Sequence, residues 1–195
     1  ELLALADLVV VNVGAHENSV HEFVKNAVGV VLMSARCAAE AVGGGRANQT
    51  VLFRTTPTGH PNCLNASAPL SREAARARAL FGGFDAEAQE VRQWHWPLFE
   101  AYDVVARRAV GNCSGCACMG RGRLGVLDVA PLSNTRPDLH DVPHVSKAKN
   151  ADPAAPPHID CLHWRPLGKE PTGSMSDWWI LLLYNVLDAL FPASA

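Results

Sequence analysis

The chain has 195 residues, enough to bury the core of one domain. Its 48% hydrophobic and 18% charged content is that of a soluble globular protein and not of a disordered one. Seventeen basic against nineteen acidic side chains give a net charge of −2, and no basic block stands out, so no nucleic-acid partner is expected. Arg121 and Arg123, in GRGR, read as a solvated loop.

The chain starts at Glu1 inside an apolar run, ELLALADLVVVNVG, which reads as the middle of a fold. A true N-terminus is expected upstream, where a signal peptide or membrane anchor would lie. Asp7 to Val13 is a continuous β-branched run and predicts an interior parallel strand covered on both faces. It leaves through Gly14-Ala15-His16. A helix is predicted next, with Phe23, Ala27, Val30, Ser34, Cys37 and Ala41 on one face and Gly43-Gly44-Gly45 ending it.

Val51 to Thr55 predicts a second strand, followed by a Pro/Gly/Asn loop through Asn62. Val91, Trp94, Leu98, Tyr102, Val105 and Ala109 form another helical stripe. Pro97 lies inside it, so the stripe is either one kinked helix or two pieces meeting there. Residues 111–120 read as a loop, Leu124 to Val129 as a third strand, and 131–160, rich in Pro, Asp and His, as an extended surface excursion. Trp178 to Leu190 predicts a last helix capped by Ser176 or Asp177; being apolar on nearly every side, it is expected to be buried. The apolar run ending at Phe191 is too short for a bilayer and is interrupted by Asn185 and Asp188.

Strands alternating with helices predict one α/β domain, a parallel sheet with helices on both faces. Chemistry in such sheets sits on the loops after the strand C-termini. One rim would then gather Gly14 to His16, the loop after Arg54 and the segment before the last helix. Arg54 itself is a charge inside an apolar strand, which needs a partner or a ligand.

Six cysteines (37, 63, 113, 116, 118 and 161) and three sequons, at Asn48, Asn65 and Asn112, favour an oxidising, glycosylating lumen over a cytosol with buried thiols. The sequence does not choose among the possible pairings. Cys113, Cys116 and Cys118 have spacing that could hold zinc, but a fourth ligand at knuckle spacing is missing, so disulfides are preferred and no metal site is assigned.

Asp160-Cys161-Leu162-His163-Trp164 is the most informative segment. A hydroxyl nucleophile needs a base within hydrogen-bond reach, and that base needs an acceptor to fix its tautomer. A three-residue spacing lets one turn present both groups, and Asp141-x-x-His144 has it too. Position before the last helix favours the later pair.

Asp-x-x-His-Trp, followed by Pro/Gly and then Asp-Trp before a Leu-rich helix, resembles the C-terminal block of the plant trichome-birefringence-like polysaccharide O-acetyltransferases. These belong to the PC-esterase branch of the SGNH superfamily. Three further blocks resemble that family in the same order: Asn12-Val13-Gly14-Ala15-His16, Phe53 to His60, and Leu127 through Ser133 to His140.

The resemblance implies a layered SGNH-like (flavodoxin-like) sheet, N-terminally truncated, with His163 as general base and Asp160 as its partner. Asn12, Gly14, His16, Arg54 and His60 would stand on the oxyanion or substrate side. It implies transfer of an acyl group, most simply acetyl, to a polysaccharide or glycan hydroxyl through an acyl-serine, in the Golgi or another secretory lumen. No bound cofactor is implied, the acyl donor being acetyl-CoA or another acetylated carrier. A carbohydrate acetyl-esterase with the same triad, and a non-catalytic glycan-binding relative, are the alternatives. Three departures stand out: the 195 residues contain no Gly-Asp-Ser, Arg165 replaces the family's Cys after His-Trp, and residues are inserted between Gly168 and Asp177.

Overall fold

The computed structural model describes residues 6–26, 50–60, 63–81, 95–112, 123–140, 161–164 and 175–190. Three parallel strands, β1 (Leu8–Val11), β2 (Thr50–Arg54) and β3 (Arg123–Leu127), lie in the order β1-β2-β3. Val9 is in register with Val51, and Phe53 with Val126. Each predicted strand is present, with ends displaced by up to two residues. Among the described residues β1 pairs with β2 alone and stands at the edge of the three strands, with Val10 42% exposed. The central strand is β2, buried from Thr50 to Phe53. A β-branched run encodes extended backbone and leaves its place in the strand order undetermined.

Strand alternation sends successive β2 side chains to opposite faces. Val51 and Phe53 join Val9 in a core with Phe23 of α1 (Val20–Phe23), Trp96, and Phe99, Tyr102 and Ala106 of α3 (Phe99–Asn112). Leu52 faces the other way, with Leu127 and Val129, and Trp179, Leu182, Leu183 and Val186 of α5 (Met175–Leu190) pack on them. Helices therefore cover both faces, an α/β arrangement. Each fully buried aromatic or aliphatic side chain contributes about 1.5–3 kcal/mol, so the first face, with five buried aromatic rings, contributes more.

Local signals account for several element ends. Ser19 caps α1, its hydroxyl accepting from the Glu22 amide at 3.2 Å, while the Glu22 carboxylate accepts from the Asn18 amide at 3.0 Å. The predicted continuation to Ala41 falls outside the described residues, as do Val91 and Trp94. Pro97 starts a helix rather than kinking one: it lies in a 3₁₀ turn, Trp96–Leu98, that leads into α3. The turn is entered through His95 at φ 51°.

One helix is added and two expectations are corrected. A helix not expected from the sequence, α2 (Arg72–Phe81), follows Ser71, whose hydroxyl accepts from the Ala74 amide at 3.1 Å. Residues 131–140 are not a surface excursion: α4 (Ala130–Ser133) and a 3₁₀ turn, Pro137–Leu139, bury Ser133, Pro137, Leu139 and His140. The rest of that stretch, 141–160, falls outside the described residues. Finally, α5 begins at Met175, so Ser176 and Asp177 lie in its first turn, and it is buried on one side only. Trp178, Ile180, Leu181 and Tyr184 are exposed because the sheet covers a single helical face.

Cys63 and Cys161 form a disulfide across a sequence separation of 98, compatible with a secreted protein. The other four cysteines lie outside the described residues. Among the described residues, no helix is long and apolar enough to cross a membrane.

Candidate functional site

At the C-terminal ends of the strands, backbone leaving the sheet is held by side-chain hydrogen bonds. Asn12, after β1, uses its amide nitrogen on the β2 exit, donating to the Arg54 carbonyl at 2.8 Å and the Thr56 hydroxyl at 2.9 Å. Gly14 is required beside it, because a Cβ there would collide with the Thr56 side chain. His16 is exposed, one residue before the buried Glu17, whose carbonyl accepts from the Tyr102 hydroxyl at 2.9 Å.

After β2, Thr55 donates to the Asp128 carboxylate at 3.1 Å and accepts from the Ala130 amide at 2.9 Å, tying the β2 and β3 exits together. The Thr56 amide donates to Asp103 on α3 at 2.9 Å, and Thr58 donates from amide and hydroxyl to the Asn134 side chain. Arg54 lies with its guanidinium carbon 4.7 Å from the Trp179 ring centre. Burial disfavours its charge, while the neighbouring Asp103 favours it. Asp103 is fully buried and its carboxyl is pushed up to about 8, chiefly by desolvation, against the opposing Thr56 hydrogen bond and Arg107 charge.

The histidines form a line. His60 Nε2 lies 2.8 Å from the Asn134 carbonyl, and His60 Nδ1 lies 2.7 Å from His140 Nε2. His140 Nδ1 lies 2.9 Å from the His163 carbonyl. Trp164 stacks on His140 with ring centres 4.0 Å apart and presents an edge-on geometry to Trp179 at 6.4 Å. The His60 amide donates to the Cys161 carbonyl at 2.9 Å, and an isolated antiparallel bridge joins His140 to Trp164. Residues 161–164 are thus fastened along their length, with the His163 side chain exposed.

Asn12, Gly14, Arg54 and His60 come together at this rim, and His163 reaches it through its main chain. Asp160, Asp141 and His144 lie outside the described residues. A cavity of about 840 Å³ opens nearby, lined by Arg72, Arg76, Glu100, Arg107, Asp128 and Thr135 among others. None of the sequence-predicted site residues lines it. Among the described residues, no cluster of His, Cys, Asp or Glu is arranged to hold a metal.

Sequence reasoning missed Asp103 and the pairing of His140 with His60. For Asp103 a signal existed: Phe99, Tyr102, Asp103 and Ala106 share one buried helical face, so a carboxylate stands at an apolar position. The chain matches no protein-family model, no curated protein and no solved structure.

Proposed function

We propose that this chain is the C-terminal part of an SGNH-type acyl-ester enzyme with a layered SGNH-like sheet. In this reading His163 is the general base and Asp160 its partner. The nucleophilic serine comes from a Gly-Asp-Ser segment before Glu1. The acceptor is a polysaccharide or glycan hydroxyl, in a secretory lumen.

One observation carries the reading: the four blocks that resemble the family, far apart in sequence, contact one another at one rim. Asn12 bonds to the Arg54 carbonyl and to Thr56, His60 to His140, and His140 to the His163 carbonyl. A base needs a fixed backbone and a side chain open to substrate. The fastened 161–164 segment and the exposed His163 ring meet both needs.

Four variants of the full-length protein test the assignment. His163→Ala should lower acyl transfer by about 10⁴-fold or more, and Asp160→Asn by up to about 10⁴-fold. His144→Ala and Asp141→Asn, with the same spacing, should stay close to wild type. An essential 141/144 pair with a dispensable 160/163 pair would overturn the assignment. Residues 1–195 alone should not turn over aryl acetates, because a base without its nucleophile does little covalent chemistry. Unfolding midpoints belong beside the rates, since Trp164 adjoins His163.

A further inference from the structure

Three contacts in series run from the Asn134 carbonyl through His60 and His140 to the His163 carbonyl, at 2.8, 2.7 and 2.9 Å. A carbonyl oxygen only accepts, so His60 Nε2 and His140 Nδ1 must each carry hydrogen. Neutral imidazoles hold one such hydrogen each, and both are then spent on the outer contacts. The inner nitrogens would be left facing each other as two acceptors at 2.7 Å. Three hydrogen bonds require three protons, and two neutral rings supply two.

We infer that His60 and His140 hold a third proton between them as one buried imidazole–imidazolium pair, and that this pair positions the His163 main chain. The proton count stands on geometry alone; its meaning for catalysis rests on the reading of His163 as the base.

Both rings are buried, at 2% and 0% exposure, and desolvation opposes a cation there. Two features offset it. The inner bond is charge-assisted. Trp164 lies face-on to His140 at 4.0 Å, within the range of a cation–π contact. Any neutral arrangement must leave one of the three contacts with two acceptors and no hydrogen, and two of the three are buried.

The charged and titratable groups around the pair, among the described residues, come from each neighbouring segment. Arg136 and Asp138, on the turn before His140, pair with each other at 2.9 Å. His163 lies on the fastened segment, and the adjoining Cys63–Cys161 disulfide does not titrate. Asp103 of α3 bonds to Thr56, four residues before His60. When rising pH removes the shared proton, one of the three contacts must be surrendered, and surrender of the His140 contact loosens the hold on His163.

Imidazole ¹⁵N spectra of the ¹⁵N-labelled 195-residue chain, from about pH 5 to about pH 9, count the protons. Below the pair's midpoint, three protons over the four nitrogens are expected, and the His163 signals should shift at that same midpoint. In His60→Asn, the amide nitrogen stands at the Nδ1 position and donates to a neutral His140. The third proton is then unnecessary, and the His163 response at that midpoint should vanish while His140 keeps its bond to the His163 carbonyl.

One proton on each ring throughout the range overturns the inference. A His163 response that survives His60→Asn overturns the positioning role. If His60→Asn does not fold, the wild-type proton count decides. In a full-length protein with turnover, the rate limb at the pair's midpoint should be lost in His60→Asn. A pair that holds its third proton in a protein without His163-dependent turnover would sink the acyl-transfer reading alone.

Discussion

Replacing Asp103 with Asn should remove a pH-dependent weakness from the fold. The Asp103 carboxyl accepts the Thr56 amide with Oδ1, and Oδ2 is buried with no hydrogen-bond partner. Its folded value is raised from 3.8 to about 8. Below about pH 4 both folded and unfolded chains keep the proton, and the group favours neither. Between about pH 4 and pH 8 the unfolded chain ionises while the folded one does not, so stability falls by about 1.4 kcal/mol per pH unit. Across that window the loss is on the order of 5 kcal/mol.

Asn has no charge to lose. Its oxygen can keep the Thr56 bond, and its amide group, like Oδ2, meets no partner, which adds a roughly pH-independent cost of about 1–3 kcal/mol. Urea unfolding of both proteins at a series of pH values separates the two effects. At pH 4 Asp103→Asn should be equal to wild type or weaker; at pH 8 it should be the more stable. The change in the difference cancels the constant offset. Stability curves that run parallel from pH 4 to pH 8, within about 1 kcal/mol, would refute the argument.

Other perturbations give distinct readouts. Gly59→Ala would drive a Cβ into the Trp96 indole and should lower stability by about 1–3 kcal/mol or more, measured as the urea midpoint. Cys63→Ala with Cys161→Ala opens a loop spanning 98 residues and should cost about 4.7 kcal/mol. A loss under about 2 kcal/mol would mean that the unfolded chain is not constrained by that link. Tyr102→Phe leaves the Glu17 carbonyl without its donor and should cost about 1–3 kcal/mol in the same assay.

The parts of the fold that sequence made legible are those with a local period or a local cap. The runs around Val9, Leu52 and Val126 read as strands because β-branched and apolar residues cluster there, and parallel pairing followed from the intervening helices. Where pattern was silent, the reading failed. In α5, Trp178, Leu181 and Tyr184 are as apolar as Trp179, Leu182 and Val186, so composition could not separate the exposed face from the packed one. In α2, Ala and Arg alternate without an apolar stripe. Pro137 and His140 belong to residue types common in loops, and contacts with residues distant in sequence, His60 and Trp164 among them, draw that turn inside.

At the candidate site the same division holds. Arg54 was recognisable as a charge within an apolar strand, and its partners, Trp179 and Asp103, lie 125 and 49 positions away. His60 and His140 are separated by 80 positions, and nothing in the spacing of either announces the other.

The link between Cys63 and Cys161 also sets an order of events during synthesis. At about 5–20 residues per second, 98 residues take roughly 5–20 s to be added, and throughout that time Cys63 waits for its partner. Cys113, Cys116 and Cys118 leave the ribosome first. The native bond is therefore in competition with earlier ones that the growing chain meets sooner. In an oxidising compartment, a Cys63 that had paired earlier would move onto Cys161 by thiol–disulfide exchange.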